Sequence, residues 1–331
     1  MTSEPLSEIK KTSSSQQNRI KENLKHSKTL KQHVLDKELE ISALFTLGVI
    51  IAFYLGSSFA KKCLTISYKV GENQYDKGYD DIYFVGYWVI AFTFLRAMAI
   101  KFVFYPIGKY FRITSFSKRQ RFTEQAWSFS YYAIFWSIGM HIMYHSPHWF
   151  NTSQYWIDYP HILISKKMKI EKRKDHLAMM VHHFITIALI VSSYYTNFTR
   201  IGNAVLCCMD FADIFLPLAK ALKYIGFTFV CDVTFGIFAL SWPITRQVLF
   251  TMIIWATAVE PSQYIDMKWE PEKGKYFTPL TQKIYITLFV LLNIIMVYWF
   301  LMIVNVIIRV LRGKSAEDTR SDDEDEDDET M

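Results

Sequence analysis

Cysteine is scarce in this chain of 331 residues: there are four, Cys63, Cys207, Cys208 and Cys231. They form no CxxC pair and no disulfide-like framework, so neither a zinc site nor a dithiol redox centre is indicated, and Cys207 and Cys208 read as packing residues within a span. Charge is scarce where a soluble domain would need it. It amounts to 21% of the chain, yet it sits at the ends and in loops, leaving long apolar runs without polar periodicity. These runs exceed the roughly ten-residue strands of a membrane barrel. A cleavable leader is not expected either, because the start is polar and Lys-rich and the first apolar run begins near Ile41. What is there is 51% hydrophobic and 17% aromatic. Since only helices and closed barrels satisfy their backbone in lipid, the sequence predicts an all-α, polytopic transmembrane helical bundle.

About seven apolar runs are long enough to span, at roughly 41–60, 82–105, 125–145, 176–195, 201–222, 229–258 and 281–309. They divide the chain into a basic arm (1–40), a first span with its loop (41–80), a membrane domain (81–310) and an acidic, disordered tail (311–331). Arg96, Lys101 and Arg246 lie within runs and read as snorkelling or facing the bundle interior. The formal net charge is +6, and Lys/Arg bias places the arm, the loop 106–123 and the tail in the cytosol. Segment 146–175 breaks that pattern. Its first half carries the glycosylation acceptor Asn151-Thr152-Ser153, expected on the lumenal side, whereas Lys166 to Lys174 is as basic as a cytosolic loop. Seven spans cannot leave both basic ends in the cytosol, so a span near Lys169 is expected to be missing.

The chemistry concentrates between Arg173 and Tyr224. His182-His183 interrupts one apolar run, and Asp210 and Asp213 interrupt the next. An ionised Asp at the bilayer centre costs roughly 2.5–3.5 kcal/mol on insertion scales, and spanning alone requires neither. Asp210 and Asp213, at i and i+3, share a helical face. A histidine pair by itself is most simply a core-facing couple that orders two helices; together with two aspartates it reads as a site.

The segment Arg173-Lys174-Asp175, Met179, His182-His183, Asn197, Arg200, Gly202, Asp210, Asp213, Lys220 and Tyr224 resembles the Lag motif of ceramide synthases, in the TLC-domain membrane family. Arg121-Phe122-Thr123-Glu124-Gln125-Ala126-Trp127 with Tyr131-Tyr132 is similar to the same family's upstream motif, and Met209-Asp210 looks like the fungal branch. The resemblance covers most of residues 80–310. It implies transfer of a fatty acyl chain from acyl-CoA to the amine of a sphingoid base, giving dihydroceramide or phytoceramide. Imidazole titrates near neutral pH, so His182 and His183 jointly are candidates for general base or for a nucleophile forming an acyl-histidine. Asp210 and Asp213 would orient an imidazole or hold the substrate amine or hydroxyl; as an alternative, they serve only as structural partners for Lys220 and Lys223. Arg200, Asn197 and Lys220 are candidate substrate-binding residues, with Arg200 and Lys220 toward the anionic parts of CoA. The loop Glu260 to Thr278 corresponds to the region that tunes acyl-chain length in relatives.

The resemblance further implies an endoplasmic-reticulum membrane protein with both termini cytosolic, a homo- or heterodimer with a related synthase, and a small single-span accessory subunit. No metal and no cofactor beyond acyl-CoA as cosubstrate is implied, and no nucleic acid. The family's further aromatic span before the basic residues has no room here, so the chain is expected to be an impaired enzyme, its site losing a wall or its later spans inverting. Two other readings compete: a non-catalytic TLC-domain protein that binds or regulates lipid, and a di-iron enzyme using His141, His145 and His148, which at i, i+4 and i+7 would line one helical face. Ser315 and Ser321, each followed by acidic residues, are phosphorylation candidates.

Overall fold

A computed structural model describes residues 37–68, 77–157, 159 and 176–312. Among the described residues the chain is helical, with one isolated bridge between Glu270 and Lys275 and no strand. The arm up to residue 36, Lys166 to Lys174, and the tail from residue 313, with Ser315 and Ser321, lie outside the described residues.

The first apolar run does not form one straight helix. Helix α1 (Lys37–Tyr54) meets α2 (Ser58–Leu64) at a 118° bend. Gly56 takes φ +81°, and the Gly56 and Ser57 amides donate to the Phe53 and Ala52 carbonyls, closing α1 as a left-handed cap. The Ser57 hydroxyl then accepts from the Ala60 amide and opens α2. Val49, Ala60, Cys63 and Tyr87 form a small core joining α1 and α2 to α3 (Asp81–Tyr110). Helix α3 widens to a π-helical stretch at Ile100–Phe104, just ahead of Pro106. Proline brings no N–H and crowds the carbonyl four residues back, which a wider turn relieves.

The larger core joins α4 (Phe116–Tyr144), α5 (His176–Tyr195), α6 (Thr199–Ile225), α7 (Thr228–Val259) and α8 (Pro279–Leu311). Helices α4 and α6 are antiparallel and closely packed. The Trp136 indole donates to the Cys207 carbonyl at 3.2 Å, and Phe122 and Ala126 pack against Ala221. A Cβ on Gly139 would come within 3.0 Å of the Cys207 sulfur, so glycine sets that approach. Helices α3, α7 and α8 are each long and apolar enough to cross a membrane, and the bent α1–α2 pair counts as a fourth if taken as one span. Their outward faces carry exposed Ile, Leu, Phe and Val side chains, as a lipid-facing surface requires.

One end of the bundle is closed by aromatic side chains. Trp156 is 0% exposed, its ring 5.3 Å from Phe198 and 5.1 Å from Phe277, while Phe198 stacks on Phe277 and Tyr285. Glu260 accepts from the Thr152 hydroxyl and, at 3.1 Å, from the Trp156 indole. Lys77 donates to Asn197 and to the Tyr195 carbonyl, and Tyr194 donates to Asp81, fastening α3 to the same end.

This closure fixes the direction of α5. Tyr159 donates to the carbonyl of Thr196, just beyond the end of α5, whereas His176 begins α5. Twenty helical residues span about 30 Å, so Tyr159 and His176 stand at opposite ends of the bundle. Helices α4 and α5 therefore run parallel. The starts of α1 and α5 and the end of α8 all lie toward the end opposite the aromatic closure, beside the basic α3–α4 turn.

Candidate active site

His182 lies thirteen residues before the end of α5, Asp213 fourteen after the start of α6, and Arg246 fourteen before Glu260. Trp299 lies fourteen residues beyond Tyr285 on α8. At 1.5 Å per residue each is about 20 Å from the aromatic closure. Four helices thus bring these groups to one layer, nearer the basic end.

Within it, Arg246 Nη2 is 2.8 Å from Asp213 Oδ1 and donates to the Met209 carbonyl at 2.6 Å. The guanidinium lies over the Trp242 ring, 3.7 Å from its centroid. Arg246 sits in a second π-helical stretch, Ile244–Leu249, directly after Pro243; the altered winding accompanies a buried, inward-facing side chain. His182 lies edge-on to Trp299 at 5.3 Å and within Coulombic reach of Asp213 and Arg246. The rings of His182 and His183 are 5.4 Å apart, consistent with the roughly 100° turn between helical neighbours. Asp210 is within reach of Asp213 and Arg246, and Tyr132 on α4 is within reach of both aspartates and Arg246. Pro217 supplies no N–H to the carbonyl of Asp213, four residues earlier, yet α6 is unbroken there.

The structure therefore brings His182, Asp210 and Asp213 together, with the His183 ring beside His182 but turned away from the aspartates. Lys220, half-buried, follows Asp213 on α6 by seven residues, about 10 Å toward the basic end. Arg200 and Asn197 are elsewhere, in the aromatic closure. Arg200 donates to the carbonyls of Gln154 and, at 3.3 Å, Ile157. Asn197 takes φ +58° in the α5–α6 turn, donates to the Gly274 carbonyl at 3.2 Å and accepts from Lys77. Asn151 is exposed and precedes the 3-10 turn Thr152–Tyr155.

The expectation that His141, His145 and His148 line one face is corrected by the end of α4 at Tyr144. His141 and His145 are exposed, with rings 4.3 Å apart, while His148 turns inward against Tyr155. Burial, with the Arg200 charge adding to it, holds His148 down to about 4, so it is neutral at physiological pH. Among the described residues, no group of three or more His, Cys, Asp or Glu is arranged to hold a metal ion.

Arg246, Tyr132 and Trp299 belong to this layer although the sequence reading did not place them there. For Arg246 a signal existed: an arginine midway along an apolar run is as costly there as an aspartate, and the adjacent run offered one as counter-ion.

The bundle with a polar His/Asp/Arg layer inside it defines a helical polytopic membrane protein with a polar interior. Residues 163–305 match the family model described as TLC domain. The chain is 35% identical to the sphingosine N-acyltransferase lag1 of Schizosaccharomyces pombe, covering 82% of this chain and 75% of that protein. It is 32% identical to the ceramide synthase FUM18 of Gibberella moniliformis (84% and 77%) and 31% identical to the ceramide synthase LOH2 of Arabidopsis thaliana (73% and 91%). The chain belongs to the ceramide synthase family of TLC-domain proteins.

Proposed function

We propose that this protein is a ceramide synthase, transferring a fatty acyl chain from acyl-CoA to the amine of a sphingoid base. The observation that carries the reading is the convergence of His182, Asp210 and Asp213 on one interior layer, with His183 next to His182 on its helix, in a chain of this family. Attack on a thioester needs a neutral amine, and a neutral imidazole takes the proton that the amine sheds. His182, beside Asp213 and Arg246, is the base or nucleophile; His183 and Asp210 flank the path of the amine. Lys220 and Arg200 stand at opposite ends of α6, about 30 Å apart, so only one of them meets the CoA head. We assign Lys220, at the basic end, and give Arg200 and Asn197 the task of holding the other end closed.

The reading extends to a multi-pass endoplasmic-reticulum location with both termini cytosolic. It includes a dimer with a related synthase, a single-span accessory subunit, and modification of Asn151, Ser315 and Ser321. The test is N-acylation of dihydrosphingosine by a series of long-chain acyl-CoAs, in membranes of cells lacking their own synthase. Activity that disappears in His182→Ala/His183→Ala is the expected result. A well-expressed chain with no turnover, with or without the accessory subunit, overturns it.

A further inference from the structure

Arg246 is almost sealed from solvent, with 2% of its side chain exposed, and its donors are only partly used. Nη2 is committed to Asp213 and the Met209 carbonyl, whereas Nε and Nη1 are buried without a hydrogen-bond partner. A guanidinium carries five N–H donors and stays protonated, and a buried donor left without a partner forfeits its hydration with nothing in return. Nor is Arg246 the sole such group. Trp242 Nε1, Trp299 Nε1, Thr186 Oγ1 and His182 Nδ1 are also buried and unpartnered. They come from α5, α7 and α8, and they adjoin one another: Trp242 carries Arg246, Trp299 abuts His182, and Thr186 follows His182 by one turn. Unmatched donors gathered from three helices around one imidazole call for an acceptor from outside the chain.

We propose that Arg246 is a catalytic residue, which binds the carbonyl oxygen of the acyl thioester and holds the oxyanion that forms there. The proposal rests on the acyl-transfer reading above. Trp242 supports the guanidinium from its face and Asp213 from one edge, so the cation is fixed before charge develops, where such stabilisation is most effective. The lone pair of the attacking nitrogen forms a bond to the carbonyl carbon, and the C=O π pair moves onto the oxygen facing Arg246. That pair returns as the C–S bond breaks. The departing CoA thiolate takes the proton that the base removed from the amine. If an imidazole attacks first, the amine displaces it through a second oxyanion on the same oxygen, so the role of Arg246 is the same on either route.

The experiment uses the full chain in nanodiscs with a long-chain acyl-CoA labelled with carbon-13 at the carbonyl. Difference infrared spectra are recorded without amine, and turnover is measured with amine. In the unaltered protein the band of the bound carbonyl, whether thioester or acyl-imidazole, should lie below that of the same group free in solution; in Arg246→Gln it should return toward that free position. Turnover should lose roughly 10²–10³-fold in kcat, with little change in KM for acyl-CoA. Should Arg246→Gln fail to fold, Asp213→Asn/Arg246→Gln removes both buried charges and the same spectrum is read on it. An unchanged band in a variant that still binds acyl-CoA overturns the assignment of Arg246 alone. A shifted, Arg246-dependent band without turnover upholds the contact and overturns the acyl-transfer reading. No binding of the thioester by the unaltered protein overturns both.

Discussion

Asp213 and Arg246 meet at 2.8 Å across α6 and α7, one partner a third exposed and the other sealed. Removing one member of such a pair is more harmful than removing both, because the survivor is left as an uncompensated charge. Asp213→Ala is expected to destabilise the protein by about 3 kcal/mol, the low end for a buried pair given the partial exposure of Asp213. Asp213→Asn/Arg246→Gln should recover most of that loss. Unfolding in detergent measures it; a double variant no more stable than Asp213→Ala would show that the pair is not coupled.

The two histidines are not equivalent. His182 lies edge-on to Trp299 and within electrostatic reach of Asp213 and Arg246, while His183 is turned about 100° away along the helix. His182→Ala should therefore lower N-acylation by roughly 10²–10⁴-fold, the usual contribution of a positioned base. His183→Ala should lose distinctly less. Equal losses, or a larger one at His183, would reassign the reacting imidazole.

His148 gives the folded state a pH dependence of its own. It is 2% exposed, neither ring nitrogen has a hydrogen-bond partner, and burial holds it down to about 4. The unfolded chain takes up a proton there near pH 6.5. Between these values the unfolded state binds more protons, so this contribution is complete above about pH 6.5 and is lost as pH falls toward 4. The thermal midpoint should drop from pH 7 to pH 5, and His148→Phe should shrink that drop. A pH profile that His148→Phe leaves unaltered would refute this account.

How much of this was legible in the sequence depends on which physics decided each feature. The apolar runs announced their helices because lipid exposure demands uninterrupted apolar stretches. The His182–Asp213 layer was legible because intramembrane charges are too costly to be incidental. Arg246 was legible only in part: a long cation in a span either reaches water or faces inward, and the sealed pair with Asp213 decides for the interior. Arg200 and Asn197, read as substrate contacts, donate to backbone carbonyls of the closure, a tertiary engagement that spacing along one chain does not reveal. The corner at residues 55–57 did have a local signal, Gly56 before Ser57, masked by the apolar residues on either side.

The parallel course of α4 and α5 makes a prediction about sidedness. The loop carrying Asn151 packs with the α5–α6 turn and the 260–278 segment at the aromatic closure, whereas Ser115 lies in the turn between α3 and α4 at the far end. His176 begins α5 at that same far end, about 30 Å from the closure. Single cysteines placed at Asn151 and Lys273, in a chain otherwise free of cysteine, should label from one face of sealed microsomes. Cysteines at Ser115 and Arg312 should label from the other. An inverted second half would instead put Asn151 and Arg312 on the same face, separating an impaired enzyme with misplaced helices from one whose His/Asp layer is assembled as described.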